Sequence, residues 1–257
     1  MHLLYLLFFS FIVLGENVQH AAAESDQDRI LFVVSNADYY GESDITTANH
    51  FTELVIPYDV LSKAGYAIDF VSPQGGAVPI GYINASDTMI KQYLYDCSFM
   101  EKLAQTKQPD AIDAALYQAI YYGGGGAAMF GVAENKAIQN IAMQIYGQNQ
   151  GVISALCHGS IGIANLKNED GSYFVAGKVV NGFPDKFENK DARYFEEFDH
   201  SVETLLQKRG AQFNYSEEGW DSYFRVDGRL ITGQDPSSAK KVAQEIILAL
   251  KAAQTKN

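Results

Sequence analysis

A cysteine followed directly by a histidine is the clearest sign of chemistry in this sequence. Residues 152–164 read VISALCHGSIGIA, so Cys157 and His158 stand immediately after an apolar run of strand type. Small residues on both sides of a nucleophile are typical of a nucleophile elbow, a tight turn from strand to helix with the side chain at its apex. The N-terminus of the next helix would lower the pKa of a thiol placed there. The segment therefore predicts a cysteine nucleophile, although a buried structural cysteine gives the same local pattern.

Four consecutive glycines follow another apolar run. Residues 121–128 read YYGGGGAA, and such a run leaves backbone N–H groups open to a ligand, as an oxyanion or anion cradle requires. Gly123, Gly125 and Ala128 also fit the dinucleotide fingerprint G-x-G-x-x-A. About 20 residues further on, however, residues 143–148 offer no acidic side chain for a ribose. A plain flexible loop is the other alternative. We expect an anion cradle.

A helical segment near the start of the chain carries a carboxylate that could reach the thiol. Residues 49–57 read NHFTELVIP, and Glu53 would approach Cys157 if this helix packs across the strand ends. The pattern alone favours a solvated glutamate, because charged residues rarely face inward. His50 is more typical of a hydrogen-bonding support than of a catalyst. We expect Cys97 to be an inert packed thiol rather than a disulfide partner of Cys157.

The elements that must position these residues alternate between strand and helix. Nearly unbroken apolar runs predict buried strands over residues 30–34, 67–71, 119–122 and 152–156. Helical periodicity predicts helices over 54–61, 137–145 and 235–250. Pairs of short strands around glycine turns are expected over 173–183 and 222–232, and an inserted helical excursion over 75–115. This alternation predicts a single α/β domain in which helices sandwich a parallel sheet.

Composition limits the partners and the compartment. The 257 residues include 31 acidic and 19 basic ones, a net charge of −12, so nucleic acid is not an expected partner. Residues 3–14 read LLYLLFFSFIVL, which is short for a membrane span and typical of a signal-peptide core. We expect a signal peptide at 1–23, a domain at 24–257 and a secreted or periplasmic protein. An uncleaved segment would anchor the chain to a membrane, and a wrongly assigned start would leave it cytoplasmic.

Together these segments give the chain a family resemblance. It resembles the ThiJ/PfpI superfamily, and more narrowly the branch of heat-shock-linked chaperones and glutathione-independent glyoxalases, also called glyoxalase III or D-lactate dehydratase. The motifs that carry the resemblance are Asn49-His50-x-x-Glu53-x-x-x-Pro57, Ala64-Gly65, Ser72-Pro73-x-Gly75-Gly76, the glycine run, Ala155-x-Cys157-His158-Gly159, Gly177-Lys178, Gly182-Phe183-Pro184 and residues 226–234. The resemblance implies a flavodoxin-like fold of the class I glutamine amidotransferase type, with a nucleophile elbow.

The resemblance also implies a role for each site residue. Cys157 matches the nucleophile, His158 its general base or acid, and Glu188 the acidic residue that orients the imidazole. Glu53 matches a carboxyl that hydrogen-bonds the thiol, and it must carry a proton there because two adjacent negative charges repel each other. The backbone N–H groups of Gly125 and His158 match the oxyanion donors. Substrate contacts are expected from Gly124 and His50.

One departure from the family pattern concerns the glycine loop. Many relatives read Gly-Gly-His-Gly where this chain has Gly124-Gly125-Gly126-Ala127, so the loop histidine is missing. We expect no metal and no organic cofactor.

The activity that the resemblance implies is conversion of methylglyoxal or glyoxal, a small aldehyde, to a hydroxy acid through a cysteine hemithioacetal. A redox-sensitive stress chaperone or protein deglycase is one alternative, and a cysteine peptidase or amidase is another. Relatives are commonly dimers, so a homodimer is a further expectation.

Overall fold

A six-stranded sheet forms the centre of the computed structural model, which describes residues 28–254. In spatial order its strands are β3 (Ala67–Val71), β1 (Arg29–Val33), β5 (Tyr117–Tyr122), β6 (Val152–Leu156), β10 (Leu230–Gly233) and β9 (Phe224–Asp227). All neighbouring strands are parallel except β9 and β10, which form an antiparallel hairpin. The leader predicted at 1–23 lies outside the described residues.

Helices cover both faces of this sheet. The α-helices in the described part of the chain are α1 (Phe51–Lys63), α2 (Thr88–Leu94), α3 (Cys97–Ala104), α4 (Lys136–Gly147), α5 (Val202–Lys208) and α6 (Ala239–Gln254). Two minor sheets pair β2 (Asn49–His50) with β4 (Ile80–Gly81) and β7 (Val179–Val180) with β8 (Gln212–Phe213). No helix within residues 28–254 is long and apolar enough to cross a membrane.

Two apolar clusters, one on each side of the sheet, hold these layers together. One contains Ile120 of β5 and Ile138 of α4. The other contains Phe32 of β1, Leu54 of α1 and Val242 of α6. Because every residue of β6 is buried, the strand reads as an apolar run broken only by Ser154, as strands covered on both faces do. The flavodoxin-like α/β fold predicted from the sequence is confirmed.

One prediction about strand pairing is wrong. Residues 222–232 do form the expected hairpin, but residues 173–183 do not form a pair of strands. In that segment Val179–Val180 pairs in parallel with Gln212–Phe213 instead. The glycine turn signal is local, whereas the partner strand comes from a distant part of the chain.

The sheet brings two of the segments singled out above to one edge. Strands β5 and β6 are parallel neighbours, and Tyr122 of β5 pairs with Ala155 of β6. Their carboxyl ends therefore lie side by side, and the glycine run 123–126 begins next to Cys157. This edge is where open α/β sheets commonly bind ligands.

Candidate active site

Cys157 occupies a strained turn at the end of β6. Its φ is +57°, a left-handed conformation that is unfavourable for a residue with a side chain. A 3₁₀ helix, Cys157–Ile163, begins at this residue, and the cysteine is 3% exposed. A Cβ on Gly159 would lie 2.4 Å from the carbonyl oxygen of Tyr122, so only glycine permits this approach. The turn has the geometry of a nucleophile elbow, with its thiol inside the protein.

The imidazole of His158 links the thiol to a carboxylate. Its Nδ1 lies 3.4 Å from Sγ of Cys157, and its Nε2 lies 2.5 Å from Oε1 of Glu188. Because the carboxylate of Glu188 accepts a hydrogen bond from Nε2–H, Nδ1 is left as an acceptor facing the thiol. The ring also stacks on Phe183 at a centroid distance of 4.6 Å, and Tyr194 donates its hydroxyl to the second oxygen of Glu188. The imidazole is therefore fixed in both tautomer and orientation.

Glu53 lies on the other side of the thiol. It belongs to the first turn of α1 and is fully buried, so the solvated position that its pattern favoured is wrong. Its Oε2 accepts a hydrogen bond of 3.0 Å from the backbone N–H of Gly124. Burial raises the pKa of Glu53 to about 8. At neutral pH the carboxyl is therefore protonated and can donate toward sulfur.

The thiol itself is not the low-pKa group that the elbow pattern predicts. Burial and the nearby carboxylate of Glu53 raise the pKa of Cys157 well above its usual value, and a hydrogen bond from the backbone N–H of His158 only partly offsets this. The prediction is wrong because desolvation outweighs a short helix end. When Glu53 holds its proton, the repulsion between the two groups is absent and sulfur can ionise more readily.

The glycine run shapes the floor of the site. Gly124 donates its N–H to Glu53 and accepts from the backbone N–H of His50 at 2.9 Å, so both of its backbone groups are engaged within the protein. Gly125 has φ +98°, and a Cβ there would lie 2.4 Å from the nitrogen of His50. The loop thus holds Glu53 and His50 in place. The substrate contact of Gly124 and the oxyanion roles of Gly125 and His158 stay predictions.

His50 borders the same site. Its imidazole stacks on Tyr82 with a centroid distance of 4.9 Å and an interplanar angle of 3°. Burial, with a smaller contribution from the neighbouring His158, lowers the pKa of His50 to about 4, so the His50 ring is neutral at physiological pH. Its Nδ1 is buried without a hydrogen-bond partner.

The sequence did not indicate the aromatic residues around this site. Tyr40 and Tyr82 lie in loops and Tyr194 lies in a 3₁₀ helix, Arg193–Glu197, and no periodicity marks any of them. Tyr40 fills the space beside the glycine run, because a Cβ on Gly126 would lie 2.2 Å from its hydroxyl oxygen.

Cys97 is exposed, because the first turn of α3 leaves it at the surface. The prediction that Cys97 is a packed thiol is therefore wrong.

The fold and the site together define a class of protein: an α/β protein whose cysteine, at the end of a central parallel strand, lies between a buried carboxyl and a histidine–glutamate pair. The chain belongs to the DJ-1/PfpI family, and the match covers residues 45–249.

Named relatives resemble the chain over most of its length. The glutathione-independent glyoxalase HSP31 of Saccharomyces cerevisiae is 31% identical over 233 residues, which cover 86% of this chain and 97% of that protein. The crystal structure of glyoxalase III from Candida albicans superposes with a TM-score of 0.78 at 26% identity, covering 86% of this chain and 97% of that one. The Francisella tularensis Rapid Encystment Protein 24 KDa gives a TM-score of 0.81 at 29% identity, covering 87% of this chain and 99% of that one.

Proposed function

We propose that this chain is a glutathione-independent glyoxalase of the D-lactate dehydratase type, which converts a small 2-oxoaldehyde to a 2-hydroxy acid. The observation that carries the proposal is the position of Cys157 between Glu53, whose pKa is raised to about 8, and the His158–Glu188 pair. The relatives named glutathione-independent glyoxalases support it. A thiol with a base on one side and a proton donor on the other suits addition to an aldehyde.

Addition is the first step. Sγ of Cys157 forms a bond to the aldehyde carbon while the thiol proton moves to Nδ1 of His158, 3.4 Å away. The carbonyl π bond breaks, and its oxygen takes the proton of Glu53, which is neutral at physiological pH. Glu188 stabilises the imidazolium that forms. The product of this step is a hemithioacetal, in which the former aldehyde carbon still carries its hydrogen.

Proton transfer between the two substrate carbons follows. Glu53, now a carboxylate, removes the hydrogen of the former aldehyde carbon while the imidazolium of His158 gives its proton to the neighbouring carbonyl oxygen, which forms an enediol. Glu53 then delivers its proton to the neighbouring carbon and takes up the hydroxyl proton of the first carbon, so Glu53 is again protonated and His158 again neutral. The first carbon is thereby oxidised to a thioester and the second is reduced to an alcohol. Water activated by His158 then breaks the bond between carbon and sulfur, which releases the hydroxy acid and restores the thiol. The complete cycle consumes one water and requires no external oxidant or reductant.

The test is turnover of methylglyoxal without glutathione by wild type, Cys157→Ala and Cys97→Ala. We expect the Cys157 variant to lose activity by about 10³-fold or more. Cys97→Ala is the matched control, because this exposed thiol lies away from the site and its loss should leave the rate unchanged. Equal turnover by Cys157→Ala and wild type would overturn the proposal.

The site geometry weighs against the two alternative functions. A redox-sensing cysteine is usually exposed and of low pKa, whereas burial raises the pKa of Cys157. A peptidase must admit an extended chain, but Cys157 is 3% exposed and aromatic rings surround the site. Suppression of client aggregation, or release of a peptide reporter, that depends on Cys157 would favour one of these alternatives.

The compartment, the domain boundary and the oligomeric state are proposed from the sequence. Cleavage after residue 23 would give a secreted or periplasmic protein of residues 24–257. Mass spectrometry of the native protein reads its first residue directly, and a start at Met1 would contradict cleavage. Light scattering of the same sample tests the homodimer.

A further inference from the structure

Tyr82 combines two unfavourable features that call for an explanation. It follows directly after β4 with φ +55°, a left-handed conformation that is unfavourable for a residue with a Cβ. Its aromatic side chain is also 48% exposed. Such strain persists only where the surrounding structure holds the residue in place, and it is concentrated at functional sites.

Two contacts hold the Tyr82 ring. One face lies on the imidazole of His50 at 4.9 Å and 3°, a nearly parallel stack. The hydroxyl lies 3.0 Å from the hydroxyl of Tyr40. Tyr40 is itself 7% exposed and stacks on Tyr194 at 4.9 Å. The half-exposed ring of Tyr82 thus contacts the buried Tyr40 through its hydroxyl and His50 through its face.

His50, whose backbone binds the glycine run, has a side-chain hydrogen-bonding atom without a partner. Its Nδ1 is buried and has no partner, although an unsatisfied buried polar atom destabilises the folded state. Its backbone N–H binds the carbonyl of Gly124, whose own N–H binds Glu53 beside the thiol. An unpaired polar atom on a residue that is linked through Gly124 to Glu53 is suited to an oxygen of the substrate.

We propose that Tyr82 is a positioning residue, which holds the imidazole of His50 so that Nδ1 forms a hydrogen bond to an oxygen of the bound 2-oxoaldehyde. This inference rests on the proposed function and adds to it the pair that orients the substrate. The strained backbone turns the Tyr82 ring back over His50, where the stack itself holds the imidazole, and the hydroxyl contact with Tyr40 is an additional restraint. His50 binds substrate, whereas Tyr82 acts through His50.

The test compares Tyr82→Gly, Tyr82→Phe and wild type. Glycine adopts φ +55° without strain, so Tyr82→Gly removes the ring while relieving the backbone, and the fold is retained. We expect KM for methylglyoxal to rise about tenfold in Tyr82→Gly with kcat changed far less, and Tyr82→Phe, which keeps the stack, to stay within about threefold of wild type. Tyr95→Ala is the control, because Tyr95 is 74% exposed at the end of α2.

A double-mutant cycle tests whether Tyr82 acts through His50. In a His50→Ala background, Tyr82→Gly should have no further effect on KM, because the residue that it positions is already gone. If the increases in KM caused by His50→Ala and Tyr82→Gly multiply in the double variant, the proposal is overturned. A Tyr82→Gly enzyme with the KM of wild type would also overturn it.

An NMR titration of the His50 ring needs no turnover and separates this proposal from the proposed function. Removing the Tyr82 ring exposes the imidazole, so its midpoint should rise by about one pH unit in Tyr82→Gly and stay in place in Tyr82→Phe. An unchanged midpoint in Tyr82→Gly would overturn the positioning role. If wild type fails to turn over methylglyoxal but the midpoint moves, the proposed function fails while the contact between Tyr82 and His50 stands.

Discussion

Nε2 of His158 lies 2.5 Å from Oε1 of Glu188, although 30 residues separate them in the chain. Glu188 is buried, and its other carboxylate oxygen accepts from the Tyr194 hydroxyl. The carboxylate therefore has a fixed direction, and it determines which imidazole nitrogen carries the proton. The nitrogen facing Cys157 is left able to accept the thiol proton, which is the condition for generating a thiolate whose own pKa is high.

Replacing this carboxylate should slow the reaction without unfolding the protein. Glu188→Gln keeps the shape but removes the charge that stabilises the imidazolium and fixes its tautomer. We expect kcat/KM for methylglyoxal to fall about 10²-fold, with a melting temperature close to that of wild type. Glu101→Gln, on the exposed face of α3, is the control and should leave kcat/KM unchanged. Retention of wild-type kcat/KM by Glu188→Gln would contradict the role assigned to this residue.

The parts of the site that could be predicted from sequence lie at strand ends. Both Cys157 and the glycine run follow apolar runs, and parallel strands place their carboxyl ends at one edge, so their meeting follows from pattern alone. Glu53 differs, because its burial depends on how α1 packs across that edge, and only the family resemblance suggested it. Tyr40 and Tyr82 carry no local signal at all, since loop positions are set by distant contacts.

The raised pKa of Glu53 predicts how stability changes with pH. The folded state holds this proton up to about pH 8, whereas the unfolded carboxyl ionises near its ordinary value of 4.5. Between these values the folded state binds more protons, so its stability falls as pH rises. The glutamine of Glu53→Gln cannot ionise, so the stability of that variant does not fall with pH for this reason. We therefore expect the melting temperature of wild type, relative to Glu53→Gln, to decrease steadily from pH 5 to pH 8. A constant difference over that range would show that Glu53 is ionised throughout.

The left-handed backbone of Cys157 predicts an unusual order of stability. Glycine ordinarily destabilises a folded chain relative to alanine by about 0.5–1 kcal/mol, through the entropy of the unfolded state. At φ +57°, however, alanine keeps a backbone strain of about 1–2 kcal/mol that glycine does not have. Cys157→Gly should therefore be at least as stable as Cys157→Ala in urea unfolding, while both are inactive. A Cys157→Gly variant clearly less stable than Cys157→Ala would show that the turn stores no strain.

Gly126 and Tyr40 share one space, which relates to the missing loop histidine. In the family pattern described above, a histidine stands where this chain has Gly126. A Cβ on Gly126 would lie 2.2 Å from the Tyr40 hydroxyl oxygen and 2.4 Å from Oγ1 of Thr47. The ring of Tyr40 also packs edge-on against Phe130 at 6.1 Å, so it cannot simply turn aside. Tyr40, from a distant segment of the chain, therefore occupies the space that a side chain at position 126 would need.

Restoring the histidine should therefore succeed only when the tyrosine is removed. Gly126→His alone should be destabilised by about 1–3 kcal/mol through overpacking, and Tyr40→Ala alone by about 3–5 kcal/mol through the cavity it leaves. In the double variant the imidazole occupies the space that Tyr40 has vacated. The double variant should therefore lose less free energy of unfolding than the two single variants lose together, by at least about 1 kcal/mol. Urea unfolding of the four proteins measures this coupling. Gly147→His, at an open position at the end of α4, is the control and should be additive with Tyr40→Ala. Strict additivity for Gly126→His as well would mean that the two side chains do not compete for the same space.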